Sequence, residues 1–173
     1  MTFLENNNIR LRAVEPSDAE EMWEMECDST QWIHNAIAAP YSLRSLREYA
    51  ENYDADPIRS GQLRLIIETV DNKVISGIID LYDISAFHRT TMLGVYVKQD
   101  FRGKGYASQA IDLACSYMKN LLHFHQIGAK IMGTNKASVS LFEKAGFTHR
   151  GTLPEWYVSP DKRADLLVYS KLL

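Results

Sequence analysis

Apolar residues along the chain follow two different periods. Ile9–Val14 alternates apolar and polar positions, which is typical of a strand with one buried face. After Gly105, apolar residues recur every three or four positions as far as Met118, which predicts an amphipathic helix. The chain therefore combines strands and helices.

Three further helices are predicted where apolar residues recur at helical spacing: from Pro16, from about Ser42 to Tyr53, and from Ala137 to Ala145. Ser17 and Glu20 have the spacing of a capping box at the start of the first helix. We expect Pro57 and Gly61 to end the second helix. Gly146 is a typical residue just beyond the last turn of the third helix.

Runs rich in apolar and β-branched residues predict further strands over 62–70, 74–84, 90–98, 128–133, 147–153 and 164–172. Asp71-Asn72, between the first two of these, is typical of a hairpin turn. The predicted order is β-α-α-β-β-β-α-β-α-β-β, which indicates an α/β (α+β) fold with a mixed sheet. No repeat or shift in composition marks a boundary, so 1–173 is expected to be a single domain.

Composition narrows the classes of function. Of 173 residues, 46% are hydrophobic and 24% charged, and a net charge of −3 without basic runs argues against nucleic acid or an anionic membrane as partner. Cys27 and Cys115 form no Cys-x-x-Cys motif, so we expect no disulfide framework. With neither a signal peptide nor a membrane span in the sequence, the expected location is the cytoplasm. His123-x-His125 lacks a suitably spaced third ligand, so no metal is expected.

Two glycines stand where the strand at 90–98 passes into the helix after Gly105. A helix start with free N–H groups and the positive end of its dipole attracts a phosphate, and Gly103 and Gly105 would let it approach. The spacing excludes the phosphate loop of nucleotide triphosphatases. It also excludes the dinucleotide fingerprint, because Ser108 stands where a third glycine is required. A tight turn without a ligand stays open as an alternative.

Asp100–Gly105 resembles the pyrophosphate loop of the GCN5-related N-acetyltransferase (GNAT) superfamily, Gln/Arg-x-x-Gly-x-Gly/Ala, with Asp100 departing from the pattern at its first position. Asn135–Phe147 looks like the family's Asn-x-x-Ser/Ala…Tyr/Phe-Glu-Lys-Leu-Gly-Phe segment. The predicted order of elements is also the one that the family shows. The resemblance therefore covers nearly the whole chain.

Three segments resemble one branch of the superfamily, which holds spermidine and ribosomal-protein alanine acetyltransferases. They are Ile78–Ile84, Gly151–Tyr157 and Asp165–Ser170. In the first of them, Asp80 replaces a glutamate of the branch's pattern. The resemblance implies a mostly antiparallel, splayed sheet with acetyl-CoA between its fourth and fifth strands. It also implies direct acetyl transfer, with no cysteine as nucleophile.

The resemblance also implies which residues contact acetyl-CoA: Val95, Val97, Arg102, Gly103, Lys104, Gly105, Tyr106, Asn135, Ser138 and Lys144. The main chain of Val95 and Val97 would bind the pantetheine arm, and the N–H groups of 102–106 the pyrophosphate. Lys104 would add positive charge for a phosphate; alternatively, it is only a solvated residue of the turn. Asn135 has the alternative of a helix N-cap, and both of its roles can hold together.

Acetyl transfer needs a neutral amine, a donor for the oxyanion and a proton for the leaving thiolate. The resemblance assigns the oxyanion donor to a main-chain N–H near Tyr96 or Val97. Phe142 stands where many members have a tyrosine acid, and Met92 where some have a base, so protons must move through other groups or water. The candidates are Asp80 as base, and Tyr157 and Tyr96 as acids.

The first expected acceptor is a polyamine or another small amine, and the second is a protein N-terminal amine. Glu24, Glu26 and Asp28 would suit a cationic amine beside the loop 32–34, although solvated helix charges explain them equally well. Candidates of second rank are His34, His88 and Glu155. A non-catalytic acyl-CoA-binding regulatory domain is the alternative of a different class, and a homo-oligomer is allowed for.

Overall fold

The computed structural model describes residues 3–30, 32, 39–158 and 162–173. The strands are β1 (Ile9–Ala13), β2 (Leu63–Thr69), β3 (Ile75–Ser85), β4 (Thr90–Val97), β5 (Gln126–Met132), β6 (Thr148–Val158) and β7 (Arg163–Leu172). The α-helices are α1 (Ala19–Glu26), α2 (Leu43–Glu51), α3 (Pro57–Ser60), α4 (Tyr106–Asn120) and α5 (Lys136–Lys144). Short 3₁₀ turns lie at Pro16–Asp18 and Gln99–Phe101.

The predicted order of strands and longer helices is confirmed, but two predictions about helix ends are wrong. Ser17 forms no capping box with Glu20; instead, the Glu15 main-chain N–H donates to Asp18 Oδ2 at 2.8 Å. The second helix ends at Glu51, and Pro57 begins the separate short helix α3. Proline suits a first helical position because its missing N–H needs no partner there.

One sheet holds all seven strands, in the order β1-β2-β3-β4-β5-β7-β6. Every neighbouring pair is antiparallel except β4 and β5, which are parallel. These two strands pair only over Thr90–Met92 and Gln126–Gly128, and beyond Met92 they separate. The mixed, mostly antiparallel and splayed sheet is therefore confirmed.

The two faces of the sheet belong to two apolar cores. Leu65, Ile79 and Leu93 pack with α4 and α5 in the larger core. Ile66 and Ile78 pack with α1 and α2 in the smaller one, on what we call the α1–α2 face. Because side chains alternate along a strand, polar residues two positions from this second pair also lie on the α1–α2 face. No helix among the described residues is long and apolar enough to cross a membrane.

Candidate active site

The edge of β4 that β5 leaves exposes main-chain groups. Lys98 N–H donates to Ser76 C=O of β3 at 2.8 Å, and in an antiparallel ladder every second residue faces the same neighbour. The main chain of Tyr96 therefore faces β3, whereas that of Val95 and Val97 faces the gap. Of the two predicted positions for the oxyanion donor, the geometry favours the N–H of Val97.

A concave set of N–H groups follows β4. Gly103 and Gly105 have φ of +77° and +78°, in the left-handed region that glycine adopts without strain. The N–H groups of 103–108 have no acceptor among the described residues, and α4 begins at Tyr106. Consecutive free N–H groups at the positive end of a helix dipole form an anion site. This phosphate cradle, residues 103–108, fits the predicted pyrophosphate.

The other predicted cofactor contacts are more widely spread. Asn135 is the N-cap of α5, where its Oδ1 accepts the N–H of Ser138 at 3.1 Å, while its Nδ2 has no acceptor among the described residues. The Nζ of Lys104 lies 4.9 Å from the ring centre of Phe101. Lys144 ends α5, about 14 Å along the helix axis from Asn135. The N-cap interpretation of Asn135 is thus confirmed, and its amide remains available to a ligand.

The main-chain N–H of Arg102, predicted as a donor to the pyrophosphate, already donates to the C=O of Gln99 at 3.1 Å, and the Arg102 side chain turns back from the cradle toward β4. Its Nε donates to Val97 C=O at 3.0 Å, and its guanidinium carbon lies 5.8 Å from the ring centre of Tyr96. The Tyr96 hydroxyl donates to Asp28 Oδ2 at 3.0 Å. Burial, with the hydrogen bond to Asp28, raises the pKa of Tyr96. Because the Tyr96 hydroxyl already donates its hydrogen bond to Asp28, the geometry favours a structural link between β4 and the end of α1 over a role as catalytic acid.

A cleft of about 340 Å³ opens on the α1–α2 face over β2 and β3. Arg64 joins two carboxylates in it. Its Nε and Nη2 donate to the two oxygens of Asp80 at 2.7 and 2.8 Å, and its Nη1 donates to Glu26 at 2.8 Å. Tyr41, Tyr49 and Tyr82 also line the cleft. One guanidinium between two carboxylates leaves a formal charge of −1, which favours a cationic ligand.

The ionisable groups of the cleft influence one another. Burial opposes the charge of Arg64, but Asp80 and Glu26 outweigh it and hold the pKa of the guanidinium above its ordinary value. Burial, followed by the charges of Asp83, Tyr157 and Asp80, raises the pKa of Tyr82 to about 12. Burial also raises the pKa of Tyr157, whose hydroxyl has no partner among the described residues. Asp80 therefore lines the cleft, and Tyr157 lies near enough to Tyr82 for the two hydroxyl groups to influence each other, while Tyr96 is held elsewhere.

The cleft lies close to the opening between β4 and β5. Asp80 is the cross-strand partner of Gly94, two residues beyond Met92, where the pairing of β4 with β5 ends. Such partners lie about 5.5 Å apart between Cα atoms. Gly94 carries no side chain, and a Cβ built there would lie 3.9 Å from the Tyr82 ring. The carboxylate and the open edge of β4 are thus separated by little more than one strand.

Arg64 is the site residue that the sequence analysis missed. A charge within the apolar run of β2 was the only indication available, and it did not point to a partner. Phe142 is 3% exposed and packs edge-on against Phe147, so it belongs to the core. Among the candidates of second rank, His88 packs against Phe87 and Glu155 pairs with Arg163 on the edge hairpin. His34 lies outside the described residues.

Metal ligands do not assemble in the part of the chain that the structure describes. No group of three or more His, Cys, Asp or Glu side chains there is arranged to hold an ion.

Comparison with known proteins gives a consistent result. The family model described as the acetyltransferase (GNAT) domain matches residues 8–148. Spermidine N(1)-acetyltransferase of Vibrio cholerae serotype O1 is 26% identical over 150 residues, covering 87% of this chain and 84% of that protein. A putative ribosomal N-acetyltransferase of Bacillus subtilis is 24% identical over 176 residues, covering 96% of this chain and 92% of that protein.

Solved structures agree in fold. The crystal structure of spermidine N-acetyltransferase from Vibrio cholerae in complex with CoA and spermine superposes with a TM-score of 0.85. It is 24% identical and covers 96% of each chain. At this identity the likeness shows the fold.

Proposed function

This chain belongs to the GNAT acetyltransferase family and is thus an N-acetyltransferase that uses acetyl-CoA. We propose that its acceptor is a small cationic amine, with a polyamine as the first candidate. In this proposal the amine binds in the cleft that Arg64 lines, which we call the Arg64 cleft. The observation that carries this proposal is the surplus of carboxylate in the cleft, with Glu26 and Asp80 sharing the one guanidinium. A protonated amine is attracted to such a site before it reacts. The cleft also opens one strand away from the gap between β4 and β5.

Acetyl-CoA supplies the activated acetyl group as a thioester. In our proposal the N–H groups of the cradle bind its pyrophosphate, since they are free donors at a helix start. The main chain of Val95 and the Nδ2 of Asn135 bind the pantetheine arm. The Val97 N–H donates to the oxyanion that develops on the carbonyl. Lys104, Ser138 and Lys144 remain predicted contacts to the arm or a phosphate.

The acceptor must lose a proton before it attacks. Arg64 uses one lone pair on each Asp80 oxygen, and each oxygen keeps a second lone pair for the ammonium group. We therefore assign Asp80 the binding of the ammonium and the acceptance of its proton, directly or through a water. Tyr157, whose hydroxyl has no partner among the described residues, is the proposed donor to the leaving thiolate.

The relatives support a polyamine. The Vibrio cholerae protein named a spermidine acetyltransferase was crystallised with CoA and spermine. A further structure of that enzyme is described as dodecameric, which supports a homo-oligomer here; light scattering of the purified protein will give its mass. The alternative acceptor, a protein N-terminal amine, is supported by the relative named as a putative ribosomal N-acetyltransferase.

Thiol release from acetyl-CoA in the presence of separate acceptors tests the proposal. The panel holds spermidine, spermine, single amino acids and N-terminal peptides. We expect turnover with polyamines, and Asp80→Asn should lower kcat/KM for spermidine roughly 100-fold or more. Tyr157→Phe should lower kcat while the KM for spermidine stays unchanged. Asp112→Asn and Tyr117→Phe, both on α4, are matched controls that should leave the rate unchanged.

Each other result has a definite meaning. Turnover with peptides alone would reject the small amine in favour of a protein N-terminus. Binding of acetyl-CoA without thiol release from any amine would favour the non-catalytic regulatory domain. Full activity of Asp80→Asn would remove Asp80 from the proton path.

A further inference from the structure

Gln109 lies in the first turn of α4, beside the phosphate cradle. Its main-chain N–H donates to the C=O of Gly105 at 3.1 Å. Helical side chains lean toward the N-terminus of their helix, and the Gln109 Nε2 lies 3.6 Å from where a Cβ would stand on Gly105. The side-chain amide therefore borders the free N–H groups.

A chain of hydrogen bonds fixes which end of this amide faces the cradle. Asn6 Oδ1 accepts the N–H groups of Asn8 and Ile9 at 2.8 and 3.0 Å, so the opposite end of its amide, Nδ2, must face Gln109. That Nδ2 donates to Gln109 Oε1 at 3.1 Å, and the Nδ2 of Asn8 donates to the same oxygen at 3.0 Å. An NH₂ group cannot accept these two bonds. The carbonyl of Gln109 is thus turned to the N-terminal segment and its NH₂ group to Gly105.

The N-terminal segment that orients Gln109 is itself held in place. Asn6 N–H donates to Ile9 C=O at 3.0 Å, and Leu11 N–H donates to Leu4 C=O at 2.7 Å. Ile9 is completely buried in the larger core. The amides of Asn6 and Asn8 therefore project from a turn that is fixed by hydrogen bonds and by the burial of Ile9. Because their direction is fixed, they can orient the Gln109 side chain.

We propose that Gln109 Nε2 donates a hydrogen bond to a phosphate oxygen of acetyl-CoA, and that Asn6 and Asn8 act as positioning residues for it. Nε2 has no acceptor among the described residues, whereas Oε1 at the other end of the amide accepts two hydrogen bonds. The phosphate belongs either to the pyrophosphate or to the 3′-phosphate of the ribose, since both offer the same acceptor. The inference rests on the proposed role of the cradle.

Gln109→Glu and the neutral Gln109→Met together separate a ligand role from a structural one. A carboxylate still accepts from Asn6 and Asn8, so the melting temperature should stay close to that of the wild type. Toward the cradle it presents a negative oxygen in place of a donor. Loss of a hydrogen bond to a charged group predicts a Kd for acetyl-CoA raised by roughly tenfold or more, with kcat unchanged at saturation. Because the new carboxylate also repels a phosphate, the neutral Gln109→Met, which keeps the reach of the side chain, must raise the Kd several-fold as well. An unchanged Kd in Gln109→Met would overturn the contact.

Asn6→Asp tests the positioning. The aspartate still accepts the N–H groups of Asn8 and Ile9 but has lost the Nδ2 donor, and its charge repels Gln109 Oε1. We expect a Kd for acetyl-CoA raised several-fold in this variant, and the double variant with Gln109→Glu should bind no more weakly than Gln109→Glu alone. Fully additive effects of the two substitutions would overturn the positioning role.

Binding of acetyl-CoA and of its 3′-dephospho form, measured by calorimetry, identifies the phosphate. An effect of Gln109→Glu that disappears with the dephospho form assigns the contact to the 3′-phosphate, and an equal effect with both forms assigns it to the pyrophosphate. Gly103→Ala, at φ +77° with open space around a Cβ, reports on the cradle alone. If it weakens binding while Gln109→Glu binds as the wild type does, the Gln109 proposal fails and the cradle stands. If neither variant changes the Kd, both proposals fail.

Discussion

Replacing Arg64 by Met would leave two carboxylates without their counterion. The Arg64 side chain is 17% exposed, that of Glu26 12% and that of Asp80 33%, so water compensates only part of the loss. Methionine has a similar reach without the charge. The hydrogen bond from the Arg64 main-chain N–H to the Tyr53 hydroxyl, at 2.9 Å, does not involve the side chain and would survive. The substitution therefore perturbs the charge cluster and the contact of the guanidinium with the Tyr49 ring, whose centre lies 5.8 Å from the guanidinium carbon.

The expected cost follows from the burial of the pair. Removing one partner of a buried ion pair costs about 3–5 kcal/mol, because the other charge stays buried and unpaired. Asp80 is one-third exposed, which places the expected loss near the lower limit, at about 3 kcal/mol. Arg47→Met is the matched control: Arg47 pairs with Glu20, and both side chains are 55% exposed. An exposed pair contributes about 0–1 kcal/mol.

Urea unfolding at pH 7, followed by circular dichroism, measures both variants. Arg64→Met should lower the free energy of unfolding by at least about 2 kcal/mol more than Arg47→Met. Adding Asp80→Asn and Glu26→Gln should recover part of the loss, because the unpaired charges are then removed. Equal losses for the two arginine variants would refute the argument, since the carboxylates of the cleft would then be hydrated rather than buried.

Two further predictions concern stability. A Cβ at Gly77 would lie 2.1 Å from the carbonyl oxygen of Tyr96, so Gly77→Ala must move the β3–β4 backbone and should lower the free energy of unfolding by about 3 kcal/mol or more. Gly61 has open space around a Cβ, so Gly61→Ala should cost only the strain of the left-handed backbone, about 1–2 kcal/mol. Equal urea midpoints for the two variants would contradict this. Burial raises the pKa of the Cys115 thiol to about 11, from 9.0 when unperturbed. The neutral thiol contributes fully to the free energy of unfolding below pH 9, and this contribution is lost as the pH rises to 11. The stability of the wild type relative to Cys115→Ala should therefore fall by up to about 2–3 kcal/mol between these pH values. A constant difference between pH 8 and 11 would contradict the burial of a neutral thiol.

Element positions were predictable where the two faces of an element differ in polarity, and the ends were predictable only where one residue type dominates. Gly146 has φ of +84° after α5, as expected of a residue that ends a helix. Ser42 caps α2 by accepting the N–H of Ser45 at 3.0 Å. Glu15 is a less usual N-cap than Ser17, so local preference selected the wrong residue at the first helix.

The charge cluster of the cleft was not predictable, because its members meet only through tertiary structure. Arg64 is 16 residues from Asp80 and 38 from Glu26. Its pairing with Asp80 depends on the register of β2 and β3, which an irregularity at Ile67 and Glu68 shifts by one residue. The hydrogen bond between Asn6 and Gln109, 103 residues apart, was hidden for the same reason.

The strand β4 explains why one sheet can serve two substrates. Its odd-numbered residues turn side chains to the larger core and main-chain groups to the gap, where acetyl-CoA is proposed to lie. Its even-numbered residues lie on the α1–α2 face, and Gly94 keeps that side open next to Asp80. Because β4 pairs with β5 only as far as Met92, a thioester in the gap and an amine in the cleft would approach each other across a single strand. In our proposal, the separation of these two strands, together with the missing side chain of Gly94, is thus the structural condition for transfer between the two sites.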